Sequence, residues 1–279
     1  MLSMLSLMER KRDLKILKVS LLLTFYFSFS FTLSAQEWHL EKMTEVPYQI
    51  SACAIDQEGK MYLGSTDGNI YRYDSAGIEE QIFSNVNLSA VTLIEPWNRL
   101  KLFSFFRENQ IIQILNRFVT KPTEYFIQDL GVEFSSLATP GIDNSFWVHS
   151  SNFNELRKYN GSQLVFSTPL SDIHIPEPVH LLAYQNLIIL LDAKTGFYFF
   201  DQFGNLAYSL PIQDAKYFQI YKEKIYLYAD HHIMIFDPYF IDKIEKIEAP
   251  DEPFTAVLRS DNRFIFLKET AFSFYKLKN

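Results

Sequence analysis

Apolar residues in this chain come in short runs closed by turn-forming residues, a pattern that predicts strands joined by tight turns. The clearest instance runs from Ile55 to Asp74, IDQEGKMYLGSTDGNIYRYD. Asp56 to Lys60 has the acidic and glycine chemistry of a hairpin turn. Met61, Tyr62 and Leu63 have the β-propensity of a strand buried on both faces. Thr66 to Asn69 is a second turn in which Gly68 is free to take positive φ. Ile70 to Tyr73 is a further strand, stopped by Asp74 to Gly77. A unit this small cannot bury its own faces, so it must stack on copies of itself.

The copies follow. Third strands end at Asp74, Asn116, Asn160, Asp201, Asp237 and Lys276, about 40 residues apart, as propeller blades are. All but the last end on Asp or Asn, where an Asx turn starts. Six passes of four short strands predict an all-β, six-bladed β-propeller with antiparallel blades, spanning residues 36–279. The sixth pass lacks its last strand, while Trp38 to Met43 is a strand with no partner nearby. The N-terminal strand is therefore expected to lie beside Phe272 to Tyr275 and close the ring, removing two free sheet edges. The innermost strands are expected at Ser51–Ile55, Ser89–Ile94, Ser135–Ala138, Val179–Ala183, Tyr217–Tyr221 and Phe254–Leu258, none of which contains Asp or Glu. The segment Pro96 to Arg99 reads as a turn.

The 55–74 stretch resembles the repeat of two-component-regulator-type propellers, which reads roughly D-x-x-G-x-L-W-I-G-T-x-x-G-L-x-R-Y-D. Asp56, Gly59, Gly64, Gly68, Arg72, Tyr73 and Asp74 match when Asn69 is counted as an insertion. Tyr62 and Ser65 replace that pattern's Trp and Thr. Trp147 and Lys158-Tyr159-Asn160 give the third repeat a weaker match. The resemblance implies propeller architecture, and in that family such blades form extracytoplasmic sensor regions joined to a membrane helix and a kinase. A sensor role here implies a kinase on a separate chain.

Composition narrows the setting. Of 279 residues, 48% are hydrophobic and 16% aromatic, with 26 Phe and 16 Tyr, which suits strands. One Cys, Cys53, excludes an intrachain disulfide. A formal charge of −7 argues against nucleic acid as a partner. Arg10, Lys11, Arg12, Lys15 and Lys18 precede an apolar run from Val19 to Leu33, followed by Ser34-Ala35. That layout predicts a signal peptide over 1–35, cleaved before Gln36, with no transmembrane segment left afterwards. The expected location is outside the cytoplasm: periplasmic, cell-surface or extracellular.

Chemistry is sparse in the sequence. His231 and His232 are adjacent, so on a strand they would point to opposite faces, and no metal-ligand spacing accompanies them. Cys53 reads as a buried thiol, and His180, in an inner strand, as a hydrogen-bonded structural histidine. No Gly-rich phosphate loop, G-x-S-x-G or basic stripe occurs. No catalytic residue, metal or cofactor is assigned. The candidate ligand-binding set is instead polar and sits in the loops between second and third strands, which gather on one face of a propeller: Asp67 and Asn69, Arg107 and Asn109, Asn152 and Asn154, Lys194, Asp230 and His231, and Lys268 and Glu269. Such a ring suits a protein, peptide or glycan partner in the cell envelope. The expected function is a non-catalytic binding or scaffold propeller. The alternatives are a metal-assisted enzyme of lactonase or lyase type, drawing on Glu133, Asp214 and Glu252, and a sensor subunit.

Overall fold

The computed structural model describes residues 37–278 except 86–87, 99–100, 117–121 and 171–172. The predicted leader, residues 1–35, lies outside the described residues.

Six four-stranded antiparallel sheets form the described chain. The first blade is β2 (Ile50–Ile55), β3 (Met61–Ser65), β4 (Ile70–Tyr73) and β5 (Glu79–Phe83), and β1 (Glu37–Glu45) precedes it. The second is β6 (Leu93–Asn98), β7 (Lys101–Phe106), β8 (Ile111–Asn116) and β9 (Thr123–Phe126). The third is β10 (Ser135–Pro140), β11 (Phe146–Ser150), β12 (Glu155–Asn160) and β13 (Gln163–Pro169). The fourth is β14 (Pro178–Tyr184), β15 (Leu187–Asp192), β16 (Gly196–Asp201) and β17 (Leu206–Leu210). The fifth is β18 (Phe218–Tyr221), β19 (Lys224–Ala229), β20 (His232–Asp237) and β21 (Phe240–Glu248). The sixth takes β22 (Ala256–Ser260), β23 (Arg263–Leu267) and β24 (Ala271–Lys278), and its fourth strand is β1. The ring closes as the unpaired strands require.

Aromatic packing secures that closure. The Trp38 ring meets Phe264 and Phe266 edge-on at 5.2 and 5.4 Å, and its indole N–H donates to the Glu248 carbonyl at 2.7 Å. Each edge-to-face pair adds about 0.5–1.5 kcal/mol beyond the area it buries.

At Asp74 and Asp201 the Asx position acts as the repeat predicts. Asp74 Oδ1 accepts the amides of Ala76 and Ile78 at 2.9 and 2.8 Å. Asp201 Oδ1 accepts those of Phe203 and Asn205 at 2.8 and 2.9 Å. Core clusters lie between neighbouring blades rather than within one: Phe197, Phe199, Phe218 and Phe236 fill the seam of blades four and five, and Phe103, Phe105, Phe146 and Tyr159 that of two and three.

The second blade departs from expectation. Its innermost strand does not end at Ile94, and Pro96 does not open a turn: β6 continues to Asn98 and therefore carries a carboxylate, Glu95. An innermost strand has one free edge, where a proline costs no ladder hydrogen bond. The β6–β7 register shifts between Glu95 and Asn98, leaving Pro96 in the irregular segment.

Candidate functional site

Among the described residues, two cavities open on the face where inner strands begin and second strands end. One, of about 270 Å³, opens into the mouth of the central channel. Ser51 and Cys53 of the first blade, Thr92 and Leu93 of the second, His180 of the fourth, Tyr217 of the fifth and Thr255 and Ala256 of the sixth line it. Tyr217 touches several blades. Its ring stacks on His180 at 4.6 Å, it packs against the core cluster of blades one and six, and burial raises its hydroxyl pKa well above normal, helped by Cys53 and Glu95. Burial likewise lifts Glu95 to about 8 and pushes the Cys53 thiol up, so neither is a ready anion at neutral pH. His180 is driven down to about 3 by burial. Its Nδ1 accepts the Phe218 amide at 3.3 Å, so it is a neutral ring held in place, as the sequence suggests.

The second cavity, of about 510 Å³, is a groove between blades three and four. Its walls are Phe134 and the extended segment from Ile173 to Pro178, and its polar lining is Arg107, Ser136, His149, Ser151 and Asn154. The Arg107 Nε donates to the Ser136 carbonyl at 2.8 Å. Burial draws the Arg107 pKa down, Glu108 acting the other way, and the guanidinium keeps its charge. Ser136 Oγ lies 2.5 Å from His149 Nδ1, and His149 Nε2 lies 3.4 Å from Asn154 Oδ1. The Asn154 amide group donates to the Leu170 and Ile173 carbonyls at 2.8 and 3.2 Å. Its Oδ1 must then accept from His149, which leaves Nδ1 as the acceptor for the Ser136 hydroxyl. Burial lowers the His149 pKa to about 4, so the ring is neutral and the network is satisfied in one sense only.

Of the eleven predicted residues, the structure brings Arg107 and Asn154 together in the groove and sets Glu269 at the channel mouth. The others are engaged locally. Asp67 accepts from Ser65 and Asn69, and Asn69 Oδ1 from the Asn85 amide. Asn109 Oδ1 accepts from the Ser89 amide and hydroxyl at 2.7 and 2.6 Å. Asn152 donates to Glu133; Lys194 pairs with Glu177 at 3.2 Å; Lys268 pairs with Glu252. Asp230 and His231 form the exposed β19–β20 turn with positive φ, while His232 already belongs to β20. Among the described residues no group of three or more His, Cys, Asp or Glu side chains is placed to hold a metal ion. The loop carboxylates Glu133 and Glu252 are committed to Asn152 and Lys268.

Sequence reasoning misses Ser136, His149 and Glu95. Ser136 is the extra residue of a β-bulge, where the β10–β11 register shifts between Ser135 and Leu137, and bulges re-aim side chains in this way. The one signal in the sequence is that His149 stands where the first blade has Gly64.

No family model matches the chain. No curated protein matches it either. Solved structures do match. The chain is similar to a streptogramin B lyase, at 14% identity and TM-score 0.62, covering 86% of this chain and 98% of that one. It is similar to a catalytically inactive virginiamycin B lyase from Staphylococcus aureus solved with quinupristin, at 12% identity and TM-score 0.58, covering 87% and 100%. A computationally designed protein matches at 16% identity and TM-score 0.51, covering 81% and 70%. At such identities the likeness establishes the fold and no activity. The two-component-regulator resemblance remains that of one repeat. No described helix is long and apolar enough to cross a membrane.

Proposed function

We propose that this protein is an exported recognition propeller that binds a protein, peptide or glycan partner on the face carrying the channel mouth and the Arg107 groove. One observation carries the reading. Arg107 is a half-buried guanidinium that lines the groove and has no ion-pair partner among the described residues. A cation kept partly out of water, influenced by the Glu108 charge but in ion-pair contact with no described carboxylate, is suited to an incoming anion, and guanidinium binds carboxylates in a two-pronged fashion. The anchoring group of the partner is therefore anionic, and Phe134, Ile173 and Ile175 flank it with apolar surface. Lys194 contributes less, because Glu177 already occupies it.

The test is a screen of labelled propeller, residues 36–279, against peptide and glycan arrays that include acidic members, followed by titration of the best binder. Arg107→Ala is expected to weaken binding at least about tenfold, the usual penalty for losing an interface anchor. Lys194→Ala is expected to change it about twofold or less. Binding unchanged in Arg107→Ala would retire this face. Export is tested by N-terminal sequencing of the mature protein, which is expected to begin at Gln36.

A further inference from the structure

The geometry points to a second capacity in the groove: Ser136, His149 and Asn154 form a nucleophile, base and orienting group for acyl transfer, with compact carboxylic esters as the substrate class. It goes beyond the recognition reading and does not need that reading's partner.

Three observations support it. The hydrogen bonds run in a single direction, from the Ser136 hydroxyl to His149 Nδ1 and from His149 Nε2–H to Asn154 Oδ1. That is the arrangement an activated serine requires: a neutral base touching the nucleophile and a third group fixing the base. The 3.4 Å link to Asn154 is long, as such links often are without substrate. All three side chains line one cavity, and Ser136 and His149 are otherwise buried, so a substrate reaches the nucleophile and base through the groove. Finally, a positive charge stands beside the nucleophile, since Arg107 is tethered to the Ser136 carbonyl. It can face an oxyanion with its remaining N–H groups.

The step balances without any group beyond substrate and water. Ser136 Oγ attacks the ester carbonyl carbon while its proton passes to His149 Nδ1. The carbonyl π pair moves onto oxygen as an oxyanion facing Arg107. When the intermediate collapses, the carbon–alkoxy bond breaks and the departing alcohol takes the proton from His149. Water then repeats the sequence, releasing the acid and restoring Ser136. The imidazolium that forms is held by Asn154 Oδ1 and sits in the field of the buried Asp192 carboxylate. The other charged or titratable groups on the groove wall are Arg107, His174 and Glu177.

The experiment uses fluorophosphonate–biotin and p-nitrophenyl acetate on the intact propeller. Wild type is expected to take up one label, located on Ser136 by peptide mass spectrometry, and to hydrolyse the ester. Ser136→Ala is expected to lose the label and about 10³-fold in rate. Asn154→Ala, a positioning change, is expected to lower kcat about tenfold to a hundredfold with KM unchanged. The acid limb of the wild-type pH profile is expected below the usual histidine range, because His149 stays neutral there. An unlabelled wild type, a label on another residue, or hydrolysis equal in folded Ser136→Ala would each overturn the proposal. The label's location is read on wild type, so it decides the question even if the variant does not fold. Because neither probe is the recognition partner, failure here leaves the binding result on Arg107→Ala to be judged separately.

Discussion

The first and third blades share one scaffold and use it in opposite ways. In each, the inner strand bulges at a serine, Ser51 or Ser136, and the next residue pairs with the second strand two places before its loop: Ala52 with Gly64, Leu137 with His149. Each loop ends in an asparagine, Asn69 or Asn154, that sews it to the segment following the blade's last strand. The difference is the residue opposite the bulge. An added Cβ at Gly64 would lie 2.6 Å from the Val91 side chain and 3.0 Å from Ile94, so the second blade closes down on the first and Ser51 donates across the seam to the Val91 carbonyl at 2.8 Å. In the third blade the imidazole occupies that position, Ser136 turns to it, and a groove of about 510 Å³ opens beside it. A repeat whose strands are fixed by ring closure can thus trade packing for a polar site by changing one position.

Exchanging the two residues breaks the comparison most directly. Gly64→His forces a large side chain into the closed seam and is expected to cost about 3 kcal/mol or more, read as a shift of the urea midpoint. The reverse change, His149→Gly, leaves Ser136 Oγ and Asn154 Oδ1 without their partner in a groove that water can enter. It is expected to cost about 2 kcal/mol. Equal, small losses in both would mean that the two seams do not differ as described.

A pH series sharpens the same contrast, since the first blade has no titrating group at that position. Burial holds folded His149 at about 4, whereas an unfolded chain takes up that proton near pH 6.5. Between those values the unfolded state binds more protons, so stability rises with pH and is lost on acidification, by at most about 1.4 kcal/mol per pH unit. His180, at about 3, adds a slope of the same sign. Glu95 acts the other way: its folded value of about 8 keeps a proton that an unfolded glutamate releases near pH 4.3, so stability falls as pH rises towards 8. Denaturant titrations from pH 4 to 9 are expected to show a shallower acid limb in His149→Gln and a shallower alkaline decline in Glu95→Gln. An acid limb unchanged by His149→Gln would place the proton uptake elsewhere.

What is legible in the sequence follows from what repetition constrains. Closing a ring of blades requires the same strand rhythm six times, so the Asx positions and the partnerless Trp38 strand suffice to give the architecture. The loop residues Arg107 and Asn154 are legible as polar positions on one face, but not which of the eleven would meet. Ser136 and His149 lie within strands, thirteen positions apart, and become neighbours only through the β10–β11 register and its bulge. Glu95 is hidden by Pro96, which reads as a turn unless the strand is known to have a free edge.

The smallest expected effect separates the blades at the other face. In the first blade Asp74 accepts two backbone amides, so Asp74→Ala strips the turn between third and fourth strands of both. In the third blade Asn160 is exposed, and its turn rests on Gly161 in the left-handed region at φ +57. Asp74→Ala is expected to cost about 1 kcal/mol, and Asn160→Ala about 0.5 kcal/mol or less. Urea midpoints resolve that gap. Equal costs would show that the aspartate contributes no more than any polar residue with turn propensity, and the Asx positions that mark the blades would then report chain direction rather than stability.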